Sequence, residues 1–194
     1  MSTAARFALL TALFAVGCGR PPARSYYTLT YPAERGDFAT PHDVTIRVRE
    51  VDLRESYRRT ELVFRPDVHE IRYDRRQRWS ERPQKMITSL VTDHLRASGL
   101  VSRVTDAVGQ IAPDYTLAGE VEAIEQVVAG DTAYARLAMN WRLLRAKDDA
   151  VVWTWRFDRR EPVGKPDQPG TVRATVRTLS ALLDREFDRA LVDL

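Results

Sequence analysis

Three stretches in the C-terminal half decide the fold: "DYTLAGEVEAIEQVV" (114–128), "TAYARLAMNWRLLRA" (132–146) and "AVVWTWRFDRRE" (150–161). In each, apolar residues recur at alternate positions, the period of an extended chain with one buried face. Gly130-Asp131 and Asp148-Asp149 separate the stretches, and both pairs favour tight turns. The spacing predicts an antiparallel three-strand meander. Trp141, Trp153 and Trp155 fall on adjacent strands of it, and Trp153 and Trp155, two apart, share a face. Two accounts of them stay open: packing beneath helices, or an amphipathic surface that meets lipid or another subunit.

Working outward, "REPVGKPDQPG" (160–170) holds three prolines and two glycines and reads as a loop. Beyond it Val172, Val176, Leu179, Leu182, Leu183, Phe187 and Leu191 recur at helical spacing, which predicts an amphipathic helix over 171–192. Toward the N-terminus, "DVTIRVREVDL" (43–53) alternates as a half-buried strand. "ELVFR" (61–65) and "VHEIRY" (68–73) flank Pro66-Asp67 as a hairpin or two consecutive strands. A second helix follows, with Ser80 as its cap and Pro83 in its first turn. It carries Met86, Ile87, Leu90, Val91 and Leu95 on one face and stops at Gly99. "SYYTLTY" (25–31) reads as the first strand. The expected fold is α+β in two layers: a mainly antiparallel sheet with two amphipathic helices packed on one face, Leu90 and Leu183 in the core.

The chain has 194 residues, enough for one domain whose core needs no disulfide or metal. Hydrophobic residues at 44% and charged residues at 29% place it in the ordinary globular class. The formal charge is +3, but the cations are nearly all Arg and alternate with acids, as in "YRRTE" and "DRREP". Such mixing makes a solvated surface and not the continuous basic stripe that phosphate tracking needs, so nucleic acid is not an expected partner.

His42, His69 and His94 stand apart from one another and from the single cysteine, so no metal spacing arises. No Gly-rich phosphate loop, "GxSxG" or zincin motif occurs. The expectation is no catalytic residue, no metal and no cofactor.

Residues 1–17 have the order of a signal peptide: Arg6, the apolar run "FALLTALFAV" and the small Gly17. The run is too short to span bilayer hydrocarbon, which takes about 20 residues. Cys18, with no second thiol for an internal disulfide, is free, paired between chains or modified. Its setting resembles the lipobox of bacterial lipoproteins, with Ala15 where Leu is usual. That resemblance implies cleavage before Cys18 and lipid attachment at its sulfur and new amine. Gly19, where Asp would mark inner-membrane retention, favours the outer membrane on its periplasmic face. Residues 18–25, with Pro21 and Pro22, form a tether to a single domain, 26–194.

The lipobox, "YYTLTYP", "ELVF", "EIRYDRRQRWSERP" leading into "LVTDHLRASGLVSRV", and "DYTLAGEVEAIEQ" together resemble the ABC-type transport auxiliary lipoproteins over most of 25–194. The resemblance implies a non-enzymatic partner of mammalian-cell-entry (MCE) systems, which move lipid between the inner and outer membranes. Its implied partners are an MCE-domain protein and the associated permease and ATPase, the membrane through the lipid anchor, and further copies of the chain in a ring. Tyr26, Tyr27 and Trp79, beside many arginines, are the candidate contact residues; the alternative is a place in the monomer core, with Trp79 as a staple at the entry to the first helix. The alternative is a structural or assembly-factor envelope lipoprotein without a lipid route.

Overall fold

The computed structural model describes residues 23–32, 38, 40–106 and 111–194. The signal peptide, Cys18 and most of the tether lie outside the described residues. In chain order the elements are β1 (Ser25–Tyr27), β2 (His42–Val48), β3 (Asp52–Leu53), β4 (Glu61–Asp67), β5 (Glu70–Trp79), α1 (Pro83–Ser98), β6 (Val101–Thr105), β7 (Tyr115–Ala129), β8 (Thr132–Arg145), β9 (Val151–Gly164) and α2 (Thr171–Asp193). No described helix is long and apolar enough to cross a membrane.

The class is α+β, but the sheet is mixed where a mainly antiparallel one was expected. β4–β5, β7–β8 and β8–β9 run antiparallel. β1–β5, β2–β6, β2–β7, β3–β7 and β4–β7 run parallel. Alternation reports that a strand has a buried face; it carries no information on the direction of its partner. Parallel neighbours need long connections, and α1 together with the segments around it supplies them.

β7 organises the sheet. One of its edges pairs with β8 from Tyr115 to Ala129. Its other edge takes three short strands in succession: β2 at Tyr115–Leu117, β3 at Glu120–Val121 and β4 at Gln126–Val127. β2 then carries β6, and β4 carries β5 and β1, so the sheet divides into two arms and curls. Register shifts between Val121 and Ala123, where a bulge leaves Glu122 as the extra residue.

The bulge fixes which residues share a face. Leu117, Gly119 and Val121 before it, and Ile124 and Gln126 after it, lie toward the helices with Ala133, Ala135, Leu137, Met139 and Trp141 of β8. α2 crosses β8 and β9, and its Phe187 ring meets Trp141 with centroids 5.4 Å apart. Trp153 and Trp155 lie on this same face, half-buried against the core. The indole Nε1 of Trp153 donates to Asp193 Oδ2 at 2.9 Å.

α1 starts at Pro83, whose missing N–H costs nothing in a first turn, and ends at Gly99 with φ 71°, a left-handed cap. Ser80 does not cap it; its hydroxyl donates to Thr28 Oγ1 at 3.2 Å. Leu183 is fully buried, but Leu90 is only half-buried, packed on the margin of the core. β6, directly after Gly99, had no alternating signal long enough to announce it.

Candidate functional site

β1 lies parallel to the end of β5, with Tyr26 opposite Arg78 and Tyr27 opposite Trp79. The fold therefore brings together the three aromatic residues singled out in the sequence, and gives each a different setting. Tyr26 is 61% exposed. Tyr27 is half-buried, and its hydroxyl donates to Gln77 Oε1 at 2.6 Å. Trp79 is 3% exposed, inside the core, and so is not presented to another chain in this conformation. β1 ends the sheet order, and among the described residues its outer edge meets no further strand. Six residues separate Cys18 from Ser25, and the seven Cα steps this makes reach at most about 25 Å.

A groove of about 1200 Å³ opens between the β4–β5 hairpin, the β7–β8 turn and the loop before α2. Apolar Phe64, Val128 and Val172 line it beside Arg72, Arg76 and Lys165. Asp74, Asp131 and Asp167 add the opposite charge. Charges of both signs suit contact with another polar chain; an acyl chain would need a continuous apolar lining.

The face of the sheet away from the helices holds a buried ionic cluster. Glu125, fully buried, accepts hydrogen bonds from the Tyr57 hydroxyl at 2.8 Å, Arg65 Nε at 3.0 Å and Arg136 Nη1 at 3.0 Å. Arg136 also grips Asp158 with two bonds, at 3.0 and 2.7 Å. Burial, then the Glu125 charge, pushes the Tyr57 phenol up to about 12. The hydrogen bond from Arg136 holds the Asp158 carboxyl below its ordinary range. Nearby, Arg156 donates to Glu122 Oε2 at 2.8 Å, and Arg160 lies over the Tyr134 ring at 5.1 Å. The Arg–acid alternation of the sequence is thus in part a set of cross-strand pairs, which consumes cations that would otherwise form a free basic surface.

His42, at the start of β2, and His69, in the β4–β5 turn, are exposed. His94 is buried between the two helices, where its Nε2 lies 2.7 Å from Asp188 Oδ1 and its Nδ1 3.7 Å from Asp184 Oδ1. Sequence spacing around the histidine could not reveal this grouping, because the partners are ninety and more residues away. The available signal was Asp184 and Asp188 themselves, one helical turn apart on a single face.

A family model described as ABC-type transport auxiliary lipoprotein component matches residues 27–185. No curated protein matches the chain. Among solved structures, a DUF330-family protein from Xanthomonas campestris is similar at 20% identity and a TM-score of 0.73, over 87% of this chain and 95% of that one. An uncharacterised protein is similar at 12% identity and a TM-score of 0.66, over 89% and 99%. A hypothetical protein from Chlamydia trachomatis is similar at 9% identity and a TM-score of 0.54, over 78% and 95%. At these identities the likeness is one of fold.

Proposed function

The chain belongs to the ABC-type transport auxiliary lipoprotein components, and from that premise we propose that it serves an MCE-type system passing lipid between the inner and outer membranes. In this reading Cys18 carries the acyl anchor in the outer membrane. The periplasmic domain docks on an MCE-domain protein that works with a permease and an ATPase, and its work is binding and positioning.

The observation that carries the reading is the family match itself, which begins at Tyr27, nine residues after the lipobox-like Gly17-Cys18. Two features of the fold support it. The tether length keeps the exposed Tyr26 edge within about 25 Å of Cys18, so a partner near the membrane would meet that edge first. The groove, with its mixed charges, is better suited to a protein surface than to a lipid tail.

Co-purification tests the proposal. The full acylated chain, extracted in mild detergent, is expected to bring down an MCE-domain protein with its permease and ATPase. Recovery of a permease and ATPase with no MCE-domain protein would overturn the lipid route while leaving the family membership intact.

A further inference from the structure

We propose that the end of β5 and the start of β1 form a docking face for an anionic lipid surface, that of the membrane holding Cys18, with Arg24, Arg75 and Arg76 meeting headgroup phosphates and Tyr26 seated at the interface. The inference rests on the proposed acyl anchor and adds to it a defined orientation of the domain.

Backbone pairing builds the face. β4 advances one residue, from Leu62 to Glu61, while its partner β5 advances from Asp74 to Arg78. The excess leaves Arg75, Arg76 and Gln77 without partners on β4, an irregularity of the kind that re-aims side chains. β1 pairs with β5 at the same place, Ser25 opposite Gln77 and Tyr26 opposite Arg78. The residues just before this pairing are Arg24 on one strand and Arg76 on the other. The pleat sorts the side chains. Tyr27 and Trp79 turn to the core, so Tyr26 and Arg78, one step away, turn to the opposite face. Arg24, Arg75 and Arg76 are exposed, and so is Tyr26, at 61%.

The charges here are not cancelled as they are on β8 and β9, where cross-strand acids hold Arg136 and Arg156. Glu61 holds Arg78 at 3.1 Å, and Asp74 lies 3.9 Å from Arg76, but Arg24 and Arg75 have no ion pair among the described residues. Arg20 adds a further cation in the tether. Such an excess is small for a free protein and sufficient for a tethered one. The tether ends at Ser25, at most about 25 Å from Cys18, so docking is an intramolecular step with little translational freedom left to lose. Each arginine near an anionic membrane then shifts the ratio of docked to free domain about fivefold. An exposed tyrosine, apolar in its ring and polar at its tip, suits the headgroup level. An acidic protein segment would match the charge, but only the membrane is brought to this face by the chain itself.

The test uses the full acylated chain reconstituted in vesicles. The acyl group blocks the single native cysteine, so Ser25→Cys alone takes an environment-sensitive dye. On vesicles of equal parts phosphatidylglycerol and phosphatidylcholine the dye is expected to shift to the blue and to be quenched by a lipid-borne nitroxide. On phosphatidylcholine alone it should report water. Salt at about 1 M, where screening acts within about 3 Å, should remove the difference. Arg24→Gln with Arg75→Gln should lower the docked-to-free ratio about 25-fold at an unchanged melting temperature, since neither side chain has an ion pair to lose. Arg103→Gln with Arg142→Gln, which takes the same charge from β6 and β8, should leave the ratio unchanged. An equal signal on both vesicle types, one that survives loss of Arg24 and Arg75, or one lost equally with Arg103 and Arg142 would each overturn the face while leaving the anchor intact. A dye that reports water on both and responds only to added polyglutamate would assign the face to an acidic protein segment instead. Vesicles that float without the chain would overturn the anchor, and the face with it.

Discussion

Removing the buried Glu125 carboxylate would leave the partly buried Arg65 and Arg136 with no anion between them, Arg136 keeping only Asp158. Glu125→Ala is therefore expected to cost about 3–5 kcal/mol, read as a lower midpoint in urea, whereas Tyr57→Phe, which removes one hydrogen bond, should cost about 1–2 kcal/mol. The same phenol sets an alkaline signature. Its folded pKa of about 12 lies above the usual value near 10, so the folded chain holds the proton more tightly than the unfolded one. That contribution is complete below about pH 10 and is lost as pH rises toward about 12. The stability difference between wild type and Tyr57→Phe should accordingly shrink across that window; a constant difference would show that Tyr57 does not titrate there. Gly119 is a second residue with a definite consequence. A Cβ there would collide with the ring of Trp141, its cross-strand neighbour, which is itself held by Phe187. Gly119→Ala should cost about 1–3 kcal/mol, with part regained by adding Trp141→Leu. Neither role was legible in sequence. Glu125 looks like any solvent-side member of "GEVEAIEQ", and only the bulge and the arrival of Arg65 and Arg136 from other strands distinguish it.

At the scale of elements, what periodicity reports was readable and what partners decide was not. β7, β8, α2 and β9 as far as Glu161 follow from alternation and helical spacing, since each is long enough for its period to dominate, whereas Pro162 to Gly164, expected as loop, continue β9 against Tyr134 and Ala133. α1 was bounded correctly by Pro83 and Gly99, although Ser80 turned away to Thr28 once β1 lay beside it. β6 escaped because five residues with Ser102 and Arg103 in the middle offer no apolar period; it is a strand because β2 lies next to it. The parallel pairings escaped for the same reason. Helix packing yields a contrast that measures the burial directly. Leu183→Ala, at a site 1% exposed, should cost about 2–5 kcal/mol, while Leu90→Ala, at the partly exposed margin of the core, should cost less. Equal losses in thermal or chemical denaturation would place α1 deeper against the sheet than its exposure indicates.

For the whole molecule, the expected anchor and the expected ring are separable by experiment. Cys18→Ala removes the sole cysteine and should abolish labelled fatty-acid incorporation and release the protein to the soluble fraction. Membrane fractionation as strong as that of wild type would refute acylation at Cys18. The lipid-free chain 19–194 should scatter light as an assembly at tens of micromolar if subunits close into a ring through unlike patches, with the Tyr26 edge as one of them. Monomer mass alone would remove the ring while leaving partner docking untouched. The position of β7 carries one more consequence, for the order in which the chain can acquire its structure. β2, β3 and β4 lie within the first 67 residues, yet each reaches the main sheet through β7, which is complete only at Ala129. The β4–β5 hairpin can close locally, but the sheet cannot until about two thirds of the chain has been made, a high contact order that delays collapse. If the chain is exported as proposed, threaded from its N-terminus while still extended, this delay is a gain, because the strand that joins the two arms is made only after both of them.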